Sequence, residues 1–341
     1  MDYELMKKLS EAEGVSSQEG GIAGIMEKEF RKRGLKVEID NFGNVIAYRS
    51  IGKNPAIFAA HMDEVGLMIK HIDKKGFLRF IKIGGIDDRT LVNQQVLIKT
   101  KKGLLPGVIG CKAPHVMKPE EKKGTLEYGS LFIDIGASNE KEANAMVEIG
   151  DSVTFPTKFT RLGKKMISGK ALDNRIGCYI ILELAKTIPK NCILMGTTQE
   201  EVSVFGKGAH TASYRLEPRA FIAVDTTVAG DHPEMKLQEA PSELTKGPSI
   251  VLTEWACKGN VADTKLVQKT IQIARKNKVK FQLEVFEGGA TDAASVHNVK
   301  GGIPSMALCV PTRYIHSSVG VAHVDDIEAS IKLLKKMVGS I

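Results

Sequence analysis

The chain has 341 residues, more than one small core needs and enough for two domains of ordinary size. With 43% hydrophobic and 26% charged residues, it can bury a sizeable core, which excludes disordered and low-complexity classes. The 48 basic and 40 acidic residues leave a net charge of +8, but the lysines fall in scattered pairs such as Lys74 with Lys75 and Lys335 with Lys336. With 6% aromatics and no nucleic-acid module, that spread describes solvated faces and argues against a nucleic-acid partner.

The opening residues MDYELMKKLSEAEGVS are charged throughout and have no apolar core, so no secretory signal is expected. No run approaches the about 18 apolar residues of a membrane span, so no membrane partner is expected either. Cys111, Cys178, Cys192, Cys257 and Cys309 are widely scattered and include no C-x-x-C pair. Buried thiols in a reducing, cytoplasmic compartment follow from that pattern.

In chain order, Leu5, Met6 and Leu9 share one face of a first helix that Gly14 stops. A second helix is expected over about residues 22–34, then the short strands KVEID and NVIAYRS around a turn at Asn41 and Gly43. AIFAA (56–60) is continuously apolar, as a strand buried on both faces must be. From about Lys70 to Pro156 the texture changes. FLRFIKIGG, QQVLIKTKKGLLPGVIG and SLFIDIGA are β-rich and punctuated by Gly, Pro and Lys-Lys turns, with helical periodicity only around 140–146. A small all-β domain inserted into another domain explains this. Alternation then returns: a helix over 173–188, buried strands in NCILMGTT and AFIAVDTT, a helix over 263–277, KFQLEVF, MALCVPT, and a closing helix from Val324. The fold class expected is α/β, an open sheet covered by helices on both faces, with the β-rich insertion.

In open α/β sheets, ligands bind beyond the carboxyl ends of the strands. AIFAA ends in His61, Met62 and Asp63; NCILMGTT ends in Gln199, Glu200 and Glu201; AFIAV runs into Asp225; MALCVPTRYI leads to His316; and Asp173 opens a helix. Each has an ordinary alternative. His61 can be a strand-end histidine, Glu200 and Glu201 the solvated first turn of a helix, Asp173 an N-cap, Asp225 the start of a turn, and His316 a loop residue. Five such positions together are harder to explain that way. Two histidines and three carboxylates can hold two zinc ions about 3.5–4 Å apart while Glu200 stays free to move a proton. His71, His115, His210, His232, His297 and His323 lack this combination, and His323 reads as flanking the last helix.

At LSEAEGVSSQEG, GNVIA, AHMDEVG, SGKALDNRIG, TTQEEVSVFGKGA, AVDTT, GGATDAASVH and RYIHS, the chain resembles the tetrahedral (TET) aminopeptidases, dinuclear metallopeptidases that form hollow dodecamers. The resemblance spans nearly the whole chain. It implies that His61, Asp173 and Asp225 hold one metal and that Asp173, bridging, holds the other with Glu201 and His316. Asp63 would orient His61, and Glu200 would be the general base that activates a water bridging the metals. The catalytic domain would comprise residues 1–68 and 159–341, and residues 69–158 would form a dimerisation domain. Two divalent ions per chain are implied, zinc first and cobalt as the alternative, with peptides bearing a free N-terminus as substrates and a dodecamer built from dimers as the assembly. Ser317, Ser318, Val319 and Gly320 follow His316 where the family often has Pro and Glu, a departure that touches the substrate pocket. Asn174 stands where an Asp is frequent. The alternatives are a related hydrolase acting on acyl-amino acids or C-terminal residues, and a non-catalytic scaffold, against which the full ligand set argues. Glycoside hydrolysis by paired carboxylates would leave the histidines without a purpose.

Overall fold

A computed structural model describes residues 1–119, 126–203 and 207–341. Helices Tyr3–Glu11 and Gly20–Lys32 precede strands β1 (Lys36–Ile39), β2 (Val45–Tyr48) and β3 (Ala56–His61). Six strands follow: β4 (Gly66–Ile72), β5 (Leu78–Ile83), β6 (Gln95–Thr100), β7 (Gly103–Gly110), β8 (Phe132–Asp134) and β9 (Ser152–Thr154). Then come β10 (Thr160–Leu162), β11 (Met166–Gly169), helix Leu172–Leu184, β12 (Cys192–Thr197), helix Gly208–Leu216, β13 (Ala220–Val228) and β14 (Ser249–Thr253). Helix Thr264–Lys276, β15 (Gln282–Val285), the short helix Asp292–Val296, β16 (Ser305–Arg313), β17 (Gly320–His323) and helix Val324–Met337 complete the chain.

Two compact units result. The first comprises Met1–Glu64, Lys158–Ile315 and Val319–Ile341; the second comprises Val65–Thr157 with His316–Ser318. In the second unit, β4-β5-β8-β7-β6-β9 close into a barrel around Leu67, Ile69, Phe80, Ile98, Ile109 and Ile133. In the first, eleven strands among the described residues form one sheet in the order β1-β2-β12-β3-β13-β16-β17-β11-β10, with β14 pairing an earlier stretch of β16 than β17 does and β15 pairing β14. The β12–β3, β3–β13 and β13–β16 pairs are parallel, so their carboxyl ends share one edge of the sheet.

Strand periodicity decides which residues face which layer. Phe58, Leu194, Ile222 and Val224 join the core under the helices Tyr3–Glu11, Leu172–Leu184 and Val324–Met337, with Leu5, Ile176, Ile180 and Leu334. Their neighbours Ile57, Ala59, Ile193, Met195, Phe221 and Ala223 join a second core with Ala209, Ala212 and Val296 from the opposite helices. An α/β sheet covered on both faces, with a small β-barrel, is therefore the observed architecture. Two of the ordinary alternatives do not hold. β13 runs on to Val228, so Asp225 lies inside the strand, as the reading of AFIAVDTT has it, and does not begin a turn. The helix carrying Asp173 begins at Leu172, but Asp173 and Asn174 keep non-helical backbone angles, so Asp173 is not a simple N-cap.

Candidate metal centre

Alternation along β3 and β13 builds the first half of the site. Ala59 pairs with Ala223, and His61 and Asp225 each stand two residues further on, past the end of that ladder and on the same side of the sheet. Both are buried. Asp173 reaches them from the irregular start of its helix, where Asn174 Nδ2 donates to Val224 O (2.8 Å) and Asn174 Oδ1 accepts from the Gly177 amide (2.9 Å). The Asp173–Asn174 peptide is cis. His61 Nε2 lies 3.2 Å from Asp173 Oδ1 and 3.5 Å from Asp225 Oδ1, and Glu200 Oε2 is 3.9 Å away.

The other imidazole nitrogen is fixed from behind. His61 Nδ1 is 3.1 Å from the main-chain oxygen of Asp63 and 3.4 Å from its Oδ1. Both are acceptors, which favours the proton on Nδ1 and turns Nε2 toward the carboxylates. Asp63, fully buried, has further work. Its Oδ2 accepts from Ser16 Oγ (2.6 Å) and the Glu201 amide (3.1 Å), and its Oδ1 accepts from the Glu200 amide (3.0 Å). Glu19 Oε1 accepts from the preceding amide, that of Gln199 (3.1 Å). Two buried carboxylates thus hold three successive amides. They pin the turn that Gln199 makes with φ of 58°, in the left-handed region, and so break the strand alternation that would send Glu200 and Glu201 to opposite faces.

Burial pulls the His61 imidazole down, but the Asp225 charge and hydrogen bonding to Asp173, Asp225 and Asp63 outweigh it and hold the ring well above its ordinary value. Burial, with repulsion from Asp225, Asp292 and Glu201, lifts the Glu200 carboxyl well above the carboxylate range despite His61. Asp225 is raised by burial and by Asp173. Carboxylates crowded into a dry site repel one another, and a divalent cation offsets that repulsion while accepting hard oxygen and borderline nitrogen donors. One donor atom from each of His61, Asp173 and Asp225 lies within 4.8 Å of the others, so these residues fit such an ion.

Of the sequence-derived candidates, His61, Asp63, Asp173, Glu200, Glu201 and Asp225 all belong to the first unit. His316 belongs to the second, where its Nδ1 lies 3.0 Å from Gly85 O. His323 caps the last helix, its Nδ1 accepting from the Asp325 amide (3.2 Å). Sequence reasoning missed Ser16, Glu19, Thr197 and Asp292. Thr197 Oγ1 donates to Asp292 Oδ2 (2.5 Å), and burial pushes Asp292 up to about 7. The period of β12 sets Thr197 on the face of Ile193 and Met195, a signal available without coordinates.

Histidine and carboxylates gathered at the carboxyl edge of a two-faced α/β sheet suit the class of metal-dependent hydrolases. Residues 43–333 match the family described as M42 glutamyl aminopeptidase. The lysyl aminopeptidase of Pyrococcus furiosus is 35% identical over 99% of this chain and 96% of its own length. The TET aminopeptidase of Thaumarchaeota archaeon SCGC AB-539-E09 superposes with a TM-score of 0.94 at 32% identity, over 99% of this chain and 96% of that one. The TET1 peptidase of Pyrococcus horikoshii, which can assemble into a tetrahedron or a large octahedral shell, gives 0.89 at 33% identity over 99% of both chains. The chain belongs to the M42 family of TET aminopeptidases and is a peptide hydrolase of the aminopeptidase class. Among the described residues, no helix is long and apolar enough to cross a membrane.

Proposed function

We propose that the protein removes N-terminal residues from peptides with Glu200 as general base and two divalent ions, zinc first and cobalt as the alternative. One ion would be held by His61, Asp173 and Asp225. The other would be held by Asp173, Glu201 and His316, a set carried over from the family pattern. The observation that carries the reading is the convergence of His61, Asp173 and Asp225 with the Glu200 carboxylate at 3.9 Å from His61 Nε2. Divalent ions there would acidify water and polarise the scissile carbonyl. Glu200 Oε would take the proton of the attacking water and hand it to the leaving amine. Asp63 keeps His61 in one tautomer and holds the amides of Glu200 and Glu201, so that neighbouring residues serve different roles. A free α-amine finds an anionic surround in these carboxylates, which fits exopeptidase action. The barrel unit is proposed as the dimerisation domain of a homo-oligomer, a dodecamer by analogy with its relatives. A cytoplasmic location agrees with the unpaired state of all five cysteines.

The deciding experiment compares Glu200→Gln with Glu201→Gln on aminoacyl-p-nitroanilides, with and without chelator, alongside elemental analysis. Glu200→Gln is expected to keep both metals and lose about 10²–10⁴ in kcat, the usual contribution of a general base. Glu201→Gln is expected to lose one metal. Reversed outcomes would exchange the two roles, and activity that survives verified metal removal would sink the reading.

A further inference from the structure

Three charged side chains with no part in the chemistry above are buried together beside the site. Lys170 is 4% exposed, Glu64 2% and Arg175 0%. Lys170 Nζ donates to Glu64 Oε1 (2.6 Å), Glu64 Oε2 (2.7 Å) and Ala12 O (3.0 Å). Arg175 Nη1 donates to Leu9 O (2.6 Å) and Ala12 O (2.9 Å), and its Nη2 lies 3.6 Å from Glu64 Oε1. Glu64 Oε1 also accepts from the Gly14 amide (3.0 Å), and Ser10 Oγ donates to Lys170 O (2.7 Å). The fit around Gly14 is close: a Cβ there would come within 2.8 Å of Arg175 Nη2 and of Ile22 Cγ2.

Burying three charges carries a desolvation cost, and apolar residues of the same volume often give a more stable core. Burial pulls the Lys170 ammonium below its ordinary range, with Arg175 adding to the effect and Glu64 opposing it. What distinguishes the cluster is where its members sit in the chain. Glu64 follows Asp63. Lys170 lies three residues before Asp173, and Arg175 two after it. The carbonyls they bind belong to residues 9–12, just ahead of Ser16, which donates to Asp63. Three separate segments, each carrying a group that shapes the metal centre, therefore meet on one set of charge-assisted bonds, which are about twice as strong as neutral ones.

We propose that Glu64, Lys170 and Arg175 act as positioning residues that lock the backbone segments bearing Asp63 and Asp173 to the N-terminal segment, setting the geometry in which His61, Asp173 and Asp225 receive a metal ion. The proposal rests on the metal-dependent reading of the site. Loss of one member leaves the opposite charges buried without their partner and frees the two segments to shift.

The test uses the full-length chain stripped of metal, with zinc affinity measured by competition against a chromophoric chelator and thermal stability measured in parallel. Glu64→Gln preserves volume and removes the charge; Lys170→Met is the second variant, so a folding failure of one leaves the other. Asp326→Asn is the control, since Asp326 is buried and accepts from the Thr245 (2.7 Å) and Gly247 (2.8 Å) amides away from the metal centre. Both cluster variants are expected to bind zinc about 10–100-fold more weakly, the range for groups that orient metal ligands. Asp326→Asn is expected to lower Tm while zinc affinity stays at the wild-type value. Wild-type zinc affinity in the cluster variants would overturn the positioning role alone, as would an equal loss of affinity in the control. Failure of the wild-type chain to bind zinc would overturn the metal reading with it.

Discussion

Replacing Asp63 by Asn tests how the site is held together, because the two side chains have nearly the same volume and differ in one atom's hydrogen-bonding character. Asp63 receives Ser16 Oγ at 2.6 Å, the Glu200 amide at 3.0 Å and the Glu201 amide at 3.1 Å, on two different oxygens, and its Oδ1 stands 3.4 Å from His61 Nδ1. An Asn side chain keeps one acceptor oxygen and turns two donors toward a backbone N–H. Ser16 can rotate its hydroxyl, but the amide of Glu200 or of Glu201 cannot reverse. One charge-assisted bond disappears and a buried N–H is left facing another donor, which together cost about 2–5 kcal/mol. That is a large part of the 5–15 kcal/mol by which folded domains of this kind usually hold together, on the order-of-magnitude scale for native stability. Urea unfolding of the metal-free chain reads this loss directly, and zinc affinity should fall about 10–100-fold because His61 and Glu201 both lose a support. In peptide hydrolysis the loss should appear in kcat, and it should shrink when Glu200 is already Gln, since the two changes then disturb one unit. An Asp63→Asn variant that keeps its unfolding free energy and zinc affinity would refute the argument. So would a kcat loss that adds fully to that of Glu200→Gln.

Two more outcomes follow from the same neighbourhood. Gly177→Ala would set a Cβ against Asn174 Oδ1 and Val224 O, the pair that fixes the chain beside Asp173. It is expected to cost about 1–3 kcal/mol, the usual cost of overpacking, and to weaken zinc binding, and unchanged values in unfolding and metal titration would contradict this. Burial pushes Glu254 up to about 8 from 4.5, with Asp225 and Asp292 adding to the rise and Thr291 opposing it. The folded metal-free chain therefore holds this proton after the unfolded chain has released it. The resulting stability is fully present below about pH 4.5 and is lost as pH rises to about 8, with a total on the order of a few kcal/mol. Glu254→Gln should remove that part of the slope, and identical urea-denaturation profiles for both chains from pH 5 to 8 would count against it.

Much of this architecture was legible in the chain itself. AIFAA reads as a strand buried on both faces because every position is apolar, NCILMGTT reads as a buried strand on its run CILMG, and β3 and β12 are buried throughout. The change of texture near Lys70 reflects a switch from layered helices to a closed barrel, whose strands carry turns and exposed lysines that a two-faced sheet cannot take. Sequence reasoning misses the strand Ser249–Thr253 and the helix Gly208–Leu216. Helix Gly208–Leu216 (GAHTASYRL) buries only small residues, so it lacks the large apolar stripe that marks a helix in sequence.

The site shows where residue-level reading reaches its limit. Apart from Asp173, which opens a helix, each candidate stands out as a polar residue where an apolar run stops, a rule that looks at one strand at a time. Asp225 fits the rule only loosely, since β13 continues to Val228 and Asp225 is free to face His61 because the β3–β13 ladder stops at Ala59 and Ala223. The condition that brings it beside His61 is where the pairing of two neighbouring strands stops, and single-strand hydropathy does not encode it. Glu200 and Glu201 show the complementary case. Adjacent residues can share a site only where the chain leaves extended geometry, and here the bend depends on Asp63 and Glu19, more than 130 residues upstream, accepting three consecutive amides. Asp63 therefore belongs to the reading of Glu200 and Glu201 as much as to that of His61. Its H-x-D spacing disclosed the contact with His61 and concealed the other.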